Sequence, residues 1–178
     1  MSGILDSKLS LRRLLLLGAV VATFAVSGTA LAGSFSANST FSAGSIRMSS
    51  AKSNTYVSVS ATSPLLNVLS TSISVPSGKT ADVQATFSAT LAHNIGTYAY
   101  CFGAFTIDGA TSDASFQPGN VQLIGGGTAA EPDAISVAMT GFRKGIGHGN
   151  HSVNVYINSA FAGCTVEDRT LNVLVNIH

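Results

Sequence analysis

Residues 81–92 read "ADVQATFSATLA", and every second position is apolar: Val83, Ala85, Phe87, Ala89 and Leu91 alternate with Gln84, Thr86, Ser88 and Thr90. Successive side chains of a strand point to opposite faces of its sheet. Strict twofold alternation over this length therefore describes an antiparallel strand with one dry and one wet face. The same rhythm returns in "DAISVAMTGF" (Ile135, Val137, Met139), in "HSVNVYIN" (Val153, Val155, Ile157) and in "RTLNVLVNI" (Leu171, Val173, Val175, Ile177). Shorter runs, "TYVSVSAT", "SISV" and "NVQLI", extend the set, and turn chemistry divides them at Pro76-Ser77-Gly78, Asp108-Gly109 and Pro118-Gly119. Roughly eight short strands so spaced predict an all-β chain, an antiparallel β-sandwich of jelly-roll-like type.

The first 32 residues stand outside that rhythm. Lys8, Arg12 and Arg13 precede an apolar run from Leu14 to Val26, and Ala30 and Ala32 form an Ala-x-Ala site before Gly33. This order is that of a cleaved secretory signal helix. The apolar run would extend only about 20 Å as a helix, short of a hydrocarbon core of roughly 30 Å. The expected division is a signal peptide over 1–32, a Ser/Ala-rich lead-in or weak first strand over 33–53, and the sandwich over 54–178. The product would be secreted, extracellular or periplasmic, with no membrane attachment after cleavage.

Cleavage removes three of the nine Lys and Arg and one of the eight Asp and Glu, leaving a nearly neutral remainder. No basic face is available for a phosphate backbone, so nucleic acid is not an expected partner. Ser, Thr, Asn and Gly must supply the polar surface. Cys101 and Cys164 are the two cysteines; in an oxidising compartment one intramolecular disulfide is the default. No cation stands beside Cys164 to hold a catalytic thiolate.

One run departs from the alternation. "GTYAYCFGAFTIDGA" is apolar at both parities, with Tyr98, Tyr100 and Phe102 on one and Ala99, Cys101, Phe105 and Ile107 on the other. A strand of this kind lies centrally in a sandwich, under a loop, or in a subunit contact. Tyr98, Tyr100 and Phe102 are accordingly the candidate interface or ligand platform. A stack of this type suits saccharides, although the chain has no Trp, the usual platform residue.

His148 and His151, in "GHGNHS", are the weak metal candidates, with Asp108 or Asp168 as further ligands. Positions three apart on a strand point to opposite faces, so the pair could chelate only if the glycines curl the segment. Ser152, His151 and Asp168 form no nucleophile elbow. Glu167 and Asp168 diverge, and no catalytic residue is assigned. The apolar parity switches between Val166 and Leu171, which predicts a bulge near Asp168 or Arg169. Gly125 to Gly127 lack the Lys-Ser/Thr of a phosphate loop. No cofactor is expected.

From Gly147 to Val175 the chain resembles the closing strand–loop–strand of bacterial and phage surface β-sandwich domains. Gly149, His151, Val153 and Val155 match a Gly-x-His-x-Val-x-Val opening, and Arg169, Leu171, Val173 and Val175 an Arg-x-Leu-x-Val-x-Val close. The resemblance implies the sandwich fold and a structural histidine at position 151. Pilin subunits are similar in length, export signal and low charge; that likeness would give residues 34–51 a donor-strand role. The function expected from the sequence is a non-enzymatic structural, adhesive or protein-binding one, in a homo-oligomer or surface assembly. The alternative is a carbohydrate-binding module with a glycan partner.

Overall fold

The computed structural model describes residues 36–61, 65–93, 99–109, 116–124 and 134–178. The signal segment and Tyr98 lie outside that set. Within it the strands are β1 (Ser36–Ala43), β2 (Ile46–Ser53), β3 (Val57–Val59), β4 (Leu66–Val75), β5 (Ala81–His93), β6 (Ala99–Ile107), β7 (Val121–Ile124), β8 (Ala134–Ile146), β9 (Gly149–Phe161) and β10 (Cys164–Ile177). Among the described residues no helix is long and apolar enough to cross a membrane.

Every pairing between these strands is antiparallel. The larger sheet runs β1-β2-β10-β5-β8, with β3 also on β10; the smaller runs β4-β9-β6-β7. The two pack face to face as a β-sandwich. Val83, Ala85, Phe87, Ala89 and Leu91 of β5 are all buried, as the alternation requires, and so are Val153, Val155 and Ile157 of β9 and Leu171, Val173, Val175 and Ile177 of β10. β8 follows its expected face only in part: Met139 is buried, whereas Ile135 is exposed. Phe116, on a connecting segment, is fully buried and packs its ring 5.7 Å from that of Phe105. Gly141 makes room for this pair, since a Cβ there would stand 2.7 Å from the Phe105 ring.

Residues 36–53 form two strands rather than the flexible lead-in expected over 33–53. β1 and β2 form a hairpin whose turn passes through Gly44 at φ 61°, and β2 runs beside β10 from Ser53↔Arg169 to Ile46↔Asn176. The sandwich thus takes in residues from 36 onward rather than from 54. The Ser/Ala composition that obscured these strands suits them physically. Small side chains face inward from β2: Ala51 is buried, and the Ser49 hydroxyl is hydrogen bonded to that of Thr71 on β4 at 2.6 Å.

The bulge forms where the parity switch places it. β10 loses register with β5 between Glu167 and Thr170, and Asp168 takes φ 46°. Its other neighbour changes across the same residues, from β3 opposite 164–166 to β2 opposite 169–176. Arg169 turns into that gap and is 3% exposed. Nη2 donates to Ser53 Oγ (3.0 Å), Thr55 O (2.8 Å) and Thr55 Oγ1 (2.6 Å), and Nη1 to Val68 O of β4 (2.9 Å). Burial lowers the guanidinium from its ordinary value, but that value is so high that the group stays charged.

Cys101 of β6 and Cys164 of β10 are disulfide-bonded across the sandwich, with Cα atoms 6.6 Å apart. Closing a loop of 63 residues contributes on the order of 4 kcal/mol in the chain-entropy account.

Candidate functional site

The outward face of the smaller sheet is built from the residues that alternate with its core. Cys101, Phe105 and Ile107 of β6 point inward, which turns Tyr100, Phe102 and Ala104 outward. On β9 the inward set Val153, Val155, Ile157 and Ser159 turns Asn154, Tyr156, Asn158 and Ala160 to the same side. Register then sets these residues in rows. Gln122, Phe102 and Asn158 stand side by side across β7, β6 and β9; Ala104, Tyr156 and Asn67 follow across β6, β9 and β4; Thr106, Asn154 and Ser70 form the next row.

Aromatic rings are therefore flanked by primary amides. Asn67 Nδ2 donates to Asn154 Oδ1 at 3.2 Å, and Asn154 Nδ2 donates to Ser152 Oγ at 3.2 Å, so part of the amide set is already oriented. Asn158 Oδ1 and Thr106 Oγ1 are buried without a hydrogen-bond partner, and Thr106 and Asn154 as whole residues are buried too, so the Thr106–Asn154–Ser70 row is closed to solvent at its first two positions. None of β4, β6, β7 or β9 carries a Lys, Arg, Asp or Glu; their one titratable side chain besides tyrosine and the bonded cysteine is His151. The charged strand residues Arg47, Lys52, Asp82, Arg143, Lys144, Glu167, Asp168 and Arg169 all lie on the larger sheet.

Of the sequence-predicted platform, Tyr100 and Phe102 are on this face, each partly buried, and Tyr98 is outside the described residues. The Tyr100 ring stands 5.8 Å from that of Phe161 at an interplanar angle of 57°. Sequence reasoning missed Tyr156, Asn158, Asn67 and Gln122. On their own strands they read as an ordinary wet face, and only the β4-β9-β6-β7 order brings them beside Phe102.

The histidine corner is separate and built differently. His151 Nδ1 stands 2.8 Å from Asp108 Oδ2 and Nε2 stands 3.0 Å from Gly147 O, each within hydrogen-bond distance, with the tautomer setting which nitrogen donates. Asp108 Oδ1 accepts the Ser152 amide at 2.9 Å. Asp108 ends β6 at φ 56° and Gly109 follows at φ 77°, the double left-handed turn that the Asp-Gly pair announces. Burial would raise the Asp108 carboxyl, but the His151 hydrogen bond, the Ser152 amide and the charges of His151 and Arg143 outweigh it and hold the group below its ordinary value. Both imidazole nitrogens of His151 are thus engaged, neither by Ser152, and Asp108 rather than Asp168 is its acidic partner. His148 is exposed on the preceding turn. Among the described residues no three His, Cys, Asp or Glu side chains gather as a metal site.

A groove of about 590 Å³ opens between the β1–β2 hairpin and β4, lined by Thr40, Ser42, Arg47, Ser49, Ile73 and Val175 among others. Its cation is already committed, since Arg47 Nη1 donates to Ser74 O at 2.8 Å. With Arg169 on Val68 O, two arginines of the larger sheet occupy carbonyls along the edge of β4 that faces away from β9. This arrangement blunts strand addition there.

No family model matches the sequence, and no curated protein matches it. Among solved structures it is similar to the C-terminal domain of EclA, described as a sugar-binding protein, at TM-score 0.33 and 12% identity over 66% of this chain and 77% of that one. It is also similar to the CBM22-1 xylan-binding domain of Paenibacillus barcinonensis Xyn10C, at TM-score 0.30 and 12% identity over 75% and 85%. A third likeness is to the enzymatically active domain of bacteriophage CBA120 tailspike protein 4, at TM-score 0.27 and 13% identity over 80% and 19%. Likenesses of this size carry no argument about a ligand. The class defined by the coordinates is a two-sheet antiparallel β-sandwich tied by one inter-sheet disulfide.

Proposed function

We propose that this chain is an exported, non-catalytic β-sandwich that binds neutral saccharide on the outward face of its smaller sheet. One observation carries the reading: Phe102 and Tyr156 lie beside Gln122, Asn158 and Asn67 on strands free of Lys, Arg, Asp and Glu. A sugar ring offers a patch of C–H groups on its face and hydroxyls around its rim. An aromatic ring takes the first, and an amide, which both donates and accepts, takes the second. A surface without charge favours a ligand without charge, because nothing on it would offset the desolvation of an ionised group. The disulfide and the N-terminal export pattern support a place outside the cytoplasm.

Isothermal titration against neutral oligosaccharides, run with wild type, Phe102→Ala and Tyr156→Ala, tests this. The expected result is an affinity indifferent to added salt that each substitution lowers by about tenfold, the scale of one aromatic contact. Absence of binding across a glycan array would sink the proposal.

The self-associating, adhesive role is the second reading, and its motivating observation shifts to the larger sheet. Phe41, Met48, Leu174, Gln84 and Phe142 form one cross-strand row over β1, β2, β10, β5 and β8. Phe41 is 52% and Phe142 51% exposed. A second copy of this chain is the occupant such a row would bury.

A further inference from the structure

Phe161 ends β9 with a φ of 70° and is 79% exposed. Each property is unfavourable alone. A left-handed backbone strains any residue with a Cβ, and an exposed phenyl recovers none of the free energy of burial. Its parity is that of the buried Ile157 and Ser159, so a regular strand would aim it at the core. Its ring instead reaches Tyr100, on the outward face.

The turn that holds it is fixed from several sides. The Ser159 hydroxyl donates to Ala162 O. Gly163 lies so close to β3 that a Cβ there would stand 2.7 Å from Val59 O. Cys164 is bonded to Cys101, the residue between Tyr100 and Phe102. A strained, solvent-facing aromatic on a rigid mount stands against Tyr100, on the face that also carries Phe102 and Tyr156, whose hydroxyl extends toward Gly109. At the rise of a strand, the stretch from Tyr100 to Ala104, which pairs with Tyr156, covers roughly 14 Å along β6.

We infer that this face takes a linear, neutral oligosaccharide laid along β6 and β9, with the Phe161 ring as the stacking position for a sugar unit at one end. The inference rests on the saccharide reading and deepens it: a lone monosaccharide would occupy the Phe102–Tyr156 region and leave Phe161 untouched.

The test is titration calorimetry on the exported protein with β-1,4-linked glucose, β-1,4-linked xylose and α-1,4-linked glucose series, each from monosaccharide to hexasaccharide. For the series that binds, affinity should climb by about tenfold or more on lengthening from disaccharide to hexasaccharide. Phe161→Gly removes the ring and relieves the positive φ. It should melt no lower than wild type, lose about tenfold in hexasaccharide affinity and leave disaccharide affinity unchanged; Phe161→Tyr should restore the hexasaccharide. Equal affinities for short and long oligomers, or a Phe161→Gly protein that binds hexasaccharide as wild type does, would overturn the inference while leaving the saccharide reading intact. No binding in any series removes both.

Discussion

At the scale of single residues, Asp108 performs several tasks that its neighbours make compatible. It tolerates φ 56° as a short polar residue can, accepts the Ser152 amide through one oxygen and receives His151 on the other. Its carboxyl is held below its ordinary value in the fold, so the folded state binds that proton less readily than the unfolded chain does. The stability this contributes is present above the unfolded carboxylate range and is lost as pH falls through the folded value, below about pH 4. Asp108→Asn keeps the backbone tolerance and one acceptor but loses the charge. Thermal melts at pH 7 and pH 3 should show Asp108→Asn below wild type at neutrality and the gap narrowed in acid. A gap of constant size would mean that the carboxylate charge is not what steadies the corner. The Asp-Gly turn was legible from residue types alone, whereas a structural place for His151 was what the resemblance to surface β-sandwich domains implied. That the two meet was not legible, since 43 positions separate them and only the pairing of β6 with β9 brings them together.

At the scale of elements, the bulge in β10 joins sequence and packing. The switch of apolar parity across Glu167 to Arg169 was visible because a strand with a core on one face cannot change phase without an extra residue. Invisible was the use made of the interruption: Arg169 fills it and ties β10 to the 53–55 segment and to Val68 of β4. No periodicity marks an arginine whose partners are two backbone carbonyls and two hydroxyls. Arg169→Ala would leave Val68 O unpaired in a buried place, take a donor from the partly buried Thr55 O and open a cavity, a loss of about 3 kcal/mol. Arg169→Lys, with one ammonium for four acceptors, should fall between. Urea unfolding of the three proteins measures this, and a change in the Ala variant within the error of wild type would show that water takes over the clasp without cost. The β1–β2 hairpin escaped the sequence for a related reason. Ser and Ala report no alternation when hydrogen bonding, rather than apolar burial, fixes the inward face.

At the scale of the whole molecule, ionisable side chains are segregated: the strands of the smaller sheet are neutral apart from His151, and the larger sheet holds the charged strand residues. Overall composition shows only a nearly neutral chain and hides this division, which depends on strand order. Under the two proposed readings the outer faces would do different work, saccharide binding on the smaller sheet and self-association on the larger. If the larger sheet's row meets a second copy, light scattering at tens of micromolar should find a dimer or larger species in wild type and a monomer in Phe41→Ser/Phe142→Ser. Saccharide affinity should remain, because the altered face is not the binding one. A monomeric wild type would remove the second reading.

The tenth strand lies at the centre of the larger sheet, between β2 and β5, which have no pairing with each other. In chain order, therefore, that sheet cannot zip shut until residues 164–177 arrive. Cys101 must likewise wait for its partner on the same strand. The topology leaves the larger sheet in two unjoined parts, β1-β2 and β5-β8, and makes residues 164–177 the segment that locks them together.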